Sequence, residues 1–278
     1  MAYVDLSGLI GPQRARHRYC LTSMAGRFGR LLAAVVASAV LLVGCHTPAE
    51  PSTIITVYAT SSMIRSLTQI GKQFQHDNPH ASVEYIFAPT ADLATELTSG
   101  AGADVFIASE PDQMDRLVAT GLIQGPPVPF ASNRLVMVTR PGNPARLSDF
   151  DDLARPGIRM AECAAQLTCA GSVRRIEQQT GVTLRPVTQE ISPENVIRDV
   201  ISGTVDVGLV FFSDALMADS KISWVDFPEA ARAESICSAA LVKGSPQADL
   251  ATEFIKEVTS VANRPVFGAA GFGRPPGR

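Results

Sequence analysis

Four strand-to-helix junctions in this chain carry small or hydroxyl-bearing residues. Ser61 and Ser62 follow the first strand-like run, and Thr90 follows the second. Cys169 begins a run of small residues ahead of a third helix, and Val196 lies in the first turn of a fourth. The free N–H groups at the start of a helix carry partial positive charge, so they bind anions without lysine or arginine. An ordinary helix cap explains any one junction, but their recurrence indicates a site for a small oxyanion.

The elements that would position these residues alternate along the chain. Strands are predicted at residues 54–59, 82–88, 103–109, 134–140, 157–162, 205–212, 221–227 and 235–243. Helices are predicted at residues 64–76, 91–99, 111–119, 148–153, 172–180, 194–202 and 247–261. Strands separated by helices of this length indicate right-handed βαβ crossovers. We therefore expect an α/β fold with mostly parallel sheets, and the length is sufficient for two lobes.

The first part of the chain has the features of an export signal. Residues 31–43, LLAAVVASAVLLV, form one apolar run that Arg27 and Arg30 precede. The run is shorter than the roughly 20 residues that a membrane-spanning helix needs, but it has the size of a signal h-region. Met24 also opens a compact signal by itself, which leaves Met1 and Met24 as alternative starts.

The tetrapeptide LVGC at the end of this run resembles the cleavage site of bacterial lipoproteins. We expect residues 1–44 to be removed and Cys45 to carry a lipid, which would hold the protein outside the cytoplasm on the outer face of the cytoplasmic membrane. Residues 45–52 would form a short polar, proline-rich tether between the lipid and the fold. A plain signal anchor with a bystander cysteine is the alternative.

The charge of the mature chain argues against nucleic acid as a partner. Loss of residues 1–44 removes five arginines and one aspartate from 24 basic and 27 acidic residues, which leaves 19 and 26 and a net charge of about −7. Binding to nucleic acid requires a basic surface. Binding of a small anion does not, because helix dipoles make a site locally positive.

The mature chain contains four cysteines, namely Cys45, Cys163, Cys169 and Cys237. An exported protein encounters an oxidising compartment, where thiols pair. With Cys45 carrying the lipid, we expect Cys163 to pair with Cys169 and Cys237 to stay free.

The mature sequence lacks the residues that covalent catalysis requires. It contains no Gly-x-Ser-x-Gly motif, and its histidines are His46 in the tether and His76 and His80 in one polar turn. We therefore expect neither an enzyme nor a cofactor.

As an ordered set, the motifs from Ile55 to Phe272 resemble the molybdate-binding lipoproteins that serve ABC importers. The segments that carry the resemblance are ITVYATSSM, FAPTADLATELTSGAGADVFIAS, NRLVMVTRPGNP and VDVGLVFFSDA. Within them, ADVFIAS and GLVFFSDA are the more specific pieces. The resemblance implies the type II periplasmic-binding-protein fold, in which two lobes are joined by a hinge.

The resemblance also implies a set of ligand-binding residues. In that family the oxyanion is held by a hydroxyl residue after the first strand, a second hydroxyl in a serine-rich turn, two backbone N–H groups of the other lobe and a tyrosine hydroxyl. Matching motif to motif places these roles on Ser62, Thr90, Cys169, Val196 and Phe211. Thr90 replaces serine and keeps a hydroxyl. Phe211 replaces tyrosine and has none, which implies one hydrogen bond fewer to the anion.

The mechanism that the resemblance implies is a hinged trap. One lobe would comprise residues 53–131 and 235–278, and the other residues 132–234. A monomer would close on molybdate, or on tungstate of nearly the same size, and pass it to the permease and ATPase of an importer. The metal would be bound only as its oxyanion.

Two other functions stay open on the sequence. Sulfate or another oxyanion is the alternative ligand, because Thr90 and Phe211 depart from the usual residues. A lipoprotein that has lost transport and serves as a surface adhesin or scaffold is the third class.

Overall fold

The computed structural model describes residues 53–275. The predicted signal peptide at residues 1–44, the Cys45 lipidation site and the tether at residues 45–52 lie outside the described residues. Among the described helices, none is long and apolar enough to cross a membrane.

Ten strands and eight α-helices occur within residues 53–275. The strands are β1 (Thr53–Thr60), β2 (Ala81–Ala88), β3 (Val105–Ala108), β4 (Ile123–Asn133), β5 (Leu135–Thr139), β6 (Met160–Cys163), β7 (Thr188–Glu190), β8 (Val207–Phe211), β9 (Ser223–Val225) and β10 (Ser235–Val242). The helices are α1 (Ile64–Asp77), α2 (Thr90–Thr98), α3 (Pro111–Ala119), α4 (Thr168–Thr180), α5 (Pro193–Ser202), α6 (Phe212–Met217), α7 (Ala248–Val258) and α8 (Arg264–Ala269).

The strands form two five-stranded sheets, which confirms the predicted two-lobed α/β class. The first sheet has the order β2-β1-β3-β10-β4, and the second has the order β7-β6-β8-β5-β9. In the first, β1 pairs in parallel with β2 and β3, while β10 is antiparallel to β3 and β4. In the second, β6 is parallel to β7 and β8, while β5 is antiparallel to β8 and β9.

Both faces of each sheet are covered, which explains why the middle strands β3 and β8 are apolar throughout. In β1, Val57 contributes to one buried cluster and Tyr58 to another on the opposite face. In β8, Leu209 and Val210 divide in the same way between two clusters of the second sheet. Successive side chains of a strand point to opposite faces, so a sheet buried on both sides needs a continuous apolar run.

Strand β4 was not predicted, because its sequence IQGPPVPFASN contains three prolines. Proline lacks the N–H group that a central strand must donate. The structure resolves the conflict by placing β4 at the edge of the first sheet, where β10 is its only strand neighbour within the described chain.

The predicted helix at residues 148–153 is instead a short 3₁₀ helix, Phe150–Ala154. Asp149 caps this helix, and Asp152 completes a reciprocal capping box with it. Satisfaction of these backbone donors by two carboxylates stabilises the single turn without a full α-helix.

The chain crosses between the two sheets along two neighbouring segments. The first crossing lies between Asn133, the last residue of β4, and Leu135, the first of β5. The return crossing ends at Ser235, the first residue of β10, which pairs with Asn133 across the antiparallel ladder. The two connections therefore lie side by side at the junction between the sheets.

Helix α5 packs closely on β8 at Gly208, which has no side chain to hold the helix away. An added Cβ at this position would overlap Val196 Cγ1 of the helix and lie 3.1 Å from Val138 Cγ2 and 3.3 Å from Val200 Cγ2. These contacts set the distance between the helix and the second sheet.

We expect Gly208→Ala to destabilise the protein by about 1–3 kcal/mol, because an extra methyl group in a filled core forces its neighbours to move. Gly102→Ala is the matched control, since an added Cβ there has nothing within 4 Å. Urea unfolding of both variants measures the difference. Equal stability of Gly208→Ala and Gly102→Ala would contradict the close packing.

Candidate functional site

A cavity of about 400 Å³ lies between the two sheets. From the first sheet and its crossings it is lined by Thr60, Ser61, Ser62, Ile64, Pro89, Ser109, Asn133 and Ser235. From the second it is lined by Leu167, Thr168, Cys169, Ile191, Ser192, Pro193, Glu194, Phe211 and Asp214. Seven of these 17 described residues carry a hydroxyl group, and none of them is a lysine, arginine or histidine.

On the side of the first sheet, four hydroxyl groups form a continuous series. Ser62 Oγ lies 3.5 Å from Thr60 Oγ1, which lies 3.2 Å from Ser109 Oγ. Ser109 Oγ in turn lies 3.4 Å from Thr90 Oγ1. The Ser235 hydroxyl donates to the Ser109 carbonyl oxygen and fixes that residue from the return crossing. The series brings Ser62 and Thr90, which are far apart in sequence, into one network.

Helix α4 begins at the opposite wall of the cavity. The N–H groups of Ala170 and Gly171 donate to the Leu167 carbonyl oxygen, at 3.1 and 3.4 Å. The N–H groups of Thr168 and Cys169 precede these bonds, at positions where a helix offers no internal acceptor. Both residues line the cavity, so this helix start presents backbone donors to it.

A disulfide braces the start of α4. Cys163 at the end of β6 is bonded to Cys169, with their Cα atoms 6.0 Å apart. Cys237 is a buried free thiol within β10, and burial raises its pKa well above its ordinary value. A thiol held in its neutral form is unreactive, so Cys237 contributes packing to the first sheet.

Helix α5 provides the second helix start on the same wall. Its cap Ser192 accepts from the Asn195 N–H at 3.3 Å through its side chain and from the Val196 N–H at 3.4 Å through its carbonyl oxygen. Ser192, Pro193 and Glu194 line the cavity. Val196 is fully buried behind them, in the cluster that packs on β8.

The five residues assigned from the motifs occupy two kinds of position. Ser62, Cys169 and Phe211 line the cavity directly. Thr90 and Val196 are fully buried in the layer behind the lining, each next to a residue or helix start that does line it.

Among the polar lining residues that the sequence analysis missed, five share one kind of position. They are Thr60, Ser109, Asn133, Ser235 and Asp214. The feature of the sequence that could have identified them is their location at or near the ends of strands, namely β1, β3, β4, β10 and β8. Ends of neighbouring strands meet at one edge of a sheet, but the pairing of β4 with β10 could not be inferred without knowing that β4 exists.

Two acidic side chains also line the cavity, Glu194 and Asp214. Burial, together with the negative charge of Glu194, raises the pKa of Asp214 to about 7. Hydrogen bonds from the Phe211 N–H and the Ser213 hydroxyl oppose this rise. Near neutral pH, Asp214 is therefore present in both its neutral and its ionised form.

Two contacts join the part of the chain around the first sheet to helices that flank the second sheet. The Thr168 hydroxyl at the start of α4 donates to the Glu110 carboxylate, which lies between β3 and α3. Burial raises the pKa of Glu110, although this hydrogen bond opposes the rise. Arg65 Nη1 of α1 lies 2.8 Å from Met217 Sδ of α6. The helices around the two sheets thus touch at two places.

A second, larger cavity of about 540 Å³ lies at the other end of β1. It is lined by Thr53, by the turn between α1 and β2, and by the start of α7. Its lining contains one helix start, and no series of hydroxyl groups lies beside that start. The cavity between the sheets is the better candidate, because it collects donors from both sheets.

The free energy of unfolding should contain a component that decreases as the pH rises from about 4 to about 8. Unfolded aspartate has a pKa of about 3.9, whereas that of Asp214 in the folded protein is about 7. The folded state holds the proton more tightly, so this stabilisation is complete below pH 4 and is lost as the pH rises through 7. Asp214→Asn should remove the component, which urea unfolding across this range measures. A wild-type-minus-variant difference that is constant with pH would contradict the assignment.

Comparison with known proteins identifies the family. The model of the bacterial extracellular solute-binding protein family matches residues 55–273. Molybdate-binding protein ModA of Mycobacterium tuberculosis is 38% identical over 252 residues, covering 88% of this chain and 97% of the relative.

Solved structures with the same fold bind different oxyanions. The periplasmic molybdate-binding protein of Azotobacter vinelandii superposes with a TM-score of 0.64 at 21% identity, covering 80% of this chain and 99% of its own. The sulfate-binding protein SubI of Mycobacterium tuberculosis gives a TM-score of 0.64 at 21% identity, covering 81% and 88%. Identities this low show the shared fold alone.

These similarities confirm the resemblance to molybdate-binding proteins that the motifs indicated. The family model begins in β1 and ends beyond α8, so it includes both sheets and the cavity between them. Its members are solute-binding proteins, in agreement with the prediction that the chain is not an enzyme. The chain belongs to the bacterial extracellular solute-binding protein family.

Proposed function

We propose that this protein captures molybdate between its two lobes and delivers it to an ABC importer. The observation that carries the proposal is the chemistry of the cavity, where hydroxyl groups and two helix starts converge without a cationic side chain. The 38% identity with a molybdate-binding protein supports the choice of ligand. Tungstate, of nearly the same size and charge, is expected to bind as well.

Five residues would hold the oxyanion. Ser62 and Thr90 would donate through their hydroxyl groups, from the wall that the hydroxyl series stabilises. Cys169 would act through its backbone N–H group at the start of α4. Val196 would turn its N–H group to the anion from the Ser192 carbonyl oxygen, which lies 3.4 Å away at the start of α5. Phe211 would contact the anion without donating.

The use of neutral donors has a physical reason. Removal of a dianion from water is costly, so most of its oxygen lone pairs must accept hydrogen bonds inside the cavity. Hydroxyl and backbone N–H groups supply these bonds, and the helix dipoles supply a positive potential. Because sulfate is also a tetrahedral dianion, selectivity against it would depend on the size of the closed cavity.

Closure of the lobes would complete the site. We assign residues 53–131 and 235–278 to one lobe and residues 132–234 to the other, with the hinge at the paired crossings near Asn133 and Ser235. Only the closed arrangement brings all donors within reach of one anion, so the anion would favour it. The contact between Glu110 and Thr168 would add to closure from the rim.

The proposal includes a location and partners. Residues 1–44 would direct export, and a lipid on Cys45 would anchor a monomer to the outer face of the cytoplasmic membrane. The residue 45–52 tether would allow the lobes to reach the permease of an importer, whose ATPase drives transport.

Isothermal titration calorimetry with molybdate, tungstate and sulfate tests the proposed ligand. We expect one-to-one binding of molybdate and tungstate and at least about a hundredfold weaker binding of sulfate. Sulfate binding tighter than molybdate would assign the protein to the alternative oxyanion. Absence of heat with all three, in a folded protein, would contradict oxyanion capture and favour the adhesin or scaffold role.

Phe211→Tyr should tighten molybdate binding by about ten- to a hundredfold, because a hydrogen bond to a charged group contributes roughly 1.5 to 3 kcal/mol. Phe212→Tyr is the matched control, since Phe212 packs on Trp224 and Arg134 and is not part of the cavity lining. Calorimetry of both variants compares the effects. Equal affinities for the two would remove Phe211 from the proposed ligand set.

A further inference from the structure

The floor of the cavity contains a buried amide that is only half satisfied. The Asn133 side chain is 3% exposed and lines the cavity. Its Nδ2 donates to Ser213 Oγ at 2.9 Å, whereas within the described chain its Oδ1 has no hydrogen-bond partner. Buried polar groups in native proteins are normally paired. An unpaired group at the wall of a binding cavity points to a partner that arrives with the ligand.

We propose that Asn133 is a further ligand of the bound oxyanion and donates from its Nδ2 group in place of the tyrosine hydroxyl that Phe211 lacks. The proposal rests on the proposed capture of an oxyanion in this cavity. Asn133 lies at the crossing between the sheets, so its hydrogen bond to the anion would add to those from the donors beside each sheet.

A rotation of the amide group accounts for the change of role. The oxygen and the nitrogen of the amide occupy nearly equivalent positions, so a 180° turn about the terminal torsion exchanges them without moving the backbone. After the turn, Nδ2 takes the place of the unpaired Oδ1, and Oδ1 faces Ser213. The Ser213 hydroxyl, which is both donor and acceptor, then donates to Oδ1. Both ends of the amide are paired once an anion occupies the cavity.

Ser213 connects the rotation of the Asn133 amide group to the ionisation of Asp214. The Ser213 hydroxyl is hydrogen-bonded to the Asp214 carboxylate as well as to Asn133. When Asp214 is ionised, it draws the hydroxyl proton toward itself, and Ser213 can only accept from Asn133. When Asp214 is neutral, the proton is free to turn to Asn133 Oδ1. The orientation that presents Nδ2 to an anion is therefore compatible with the neutral form of Asp214.

The location of Asn133 gives the contact a mechanical consequence. Asn133 is the last residue of β4 and pairs with Ser235 at the return crossing. An anion bonded to Asn133 is therefore tied to both connections between the lobes. Asn133 would therefore fix the position of the anion at the hinge, and the helix starts of the two lobes would approach the anion as the lobes close.

Calorimetric titration of molybdate into wild type, Asn133→Ala and Asn133→Asp tests the inference. We expect Asn133→Ala to bind about ten- to a hundredfold more weakly, because one hydrogen bond to the anion is lost. Asn133→Asp has the same shape but only acceptor atoms and a negative charge when ionised. We expect a loss of at least about a hundredfold at pH 6, where Asp214 of both proteins is mostly neutral.

Ser132→Ala is the matched control for disturbance of the crossing. Ser132 is the neighbouring residue, is equally buried, and donates to the Arg274 carbonyl oxygen at 2.9 Å on the side away from the cavity. We expect its affinity to stay within about twofold of wild type. A loss in Ser132→Ala as large as that in Asn133→Ala would assign the effect to the hinge and overturn the ligand role.

The double variant Asn133→Ala with Phe211→Tyr separates a ligand role from a structural one. If both side chains supply the same hydrogen bond to the anion, Phe211→Tyr should improve the affinity of Asn133→Ala by a larger factor than it improves that of wild type. Equal improvement in the two backgrounds, or wild-type affinity of Asn133→Ala itself, would overturn the inference. Molybdate binding by the wild type would leave the proposed function intact in either case. Absence of molybdate binding by the wild type would instead refute the proposed function, and this inference with it.

Discussion

The arrangement of this protein depends on the cost of holding a doubly charged anion away from water without a cation beside it. The cavity between the sheets contains no basic side chain among its described lining residues. Dipoles must therefore provide all of the stabilisation, and dipoles act only at short range and in the correct orientation. This requirement explains why helix starts and hydroxyl groups reach the cavity from the sides of both sheets.

Two acidic residues at the same site reduce the net stabilisation that a bound dianion can obtain there. An ionised Asp214 or Glu194 opposes a dianion, and burial offsets part of this conflict by raising the pKa of Asp214 to about 7. Ser213 is hydrogen-bonded to both Asp214 and Asn133. The ionisation of the Asp214 carboxyl group therefore affects the orientation of the Asn133 amide group. On the proposed mechanism, the hinge and the anion site are one network.

The alternation of strands and helices was predictable from the sequence because both faces of the sheets are covered, which imposes apolar strands such as β8. The motifs located Ser62, Cys169 and Phe211 in the lining. The edge strand β4 was not predictable, because its prolines obscure a strand that tolerates them only at a sheet edge. Asn133 was missed for the same reason, since it lies at the end of that strand. Thr60 and Ser109 became recognisable only when the parallel pairing of β1 and β3 placed their hydroxyl groups together.

The central claim is that molybdate lies between the lobes and is held by neutral donors from both of them. Anomalous diffraction near the molybdenum absorption edge, from crystals of the protein grown with molybdate, tests this claim most directly. The account predicts one strong molybdenum peak, placed so that the oxygens of its oxyanion lie within hydrogen-bonding range of the Ser62 hydroxyl, the Cys169 N–H and the Asn133 amide. A peak at another surface, or one coordinated by arginine or lysine side chains, would contradict it.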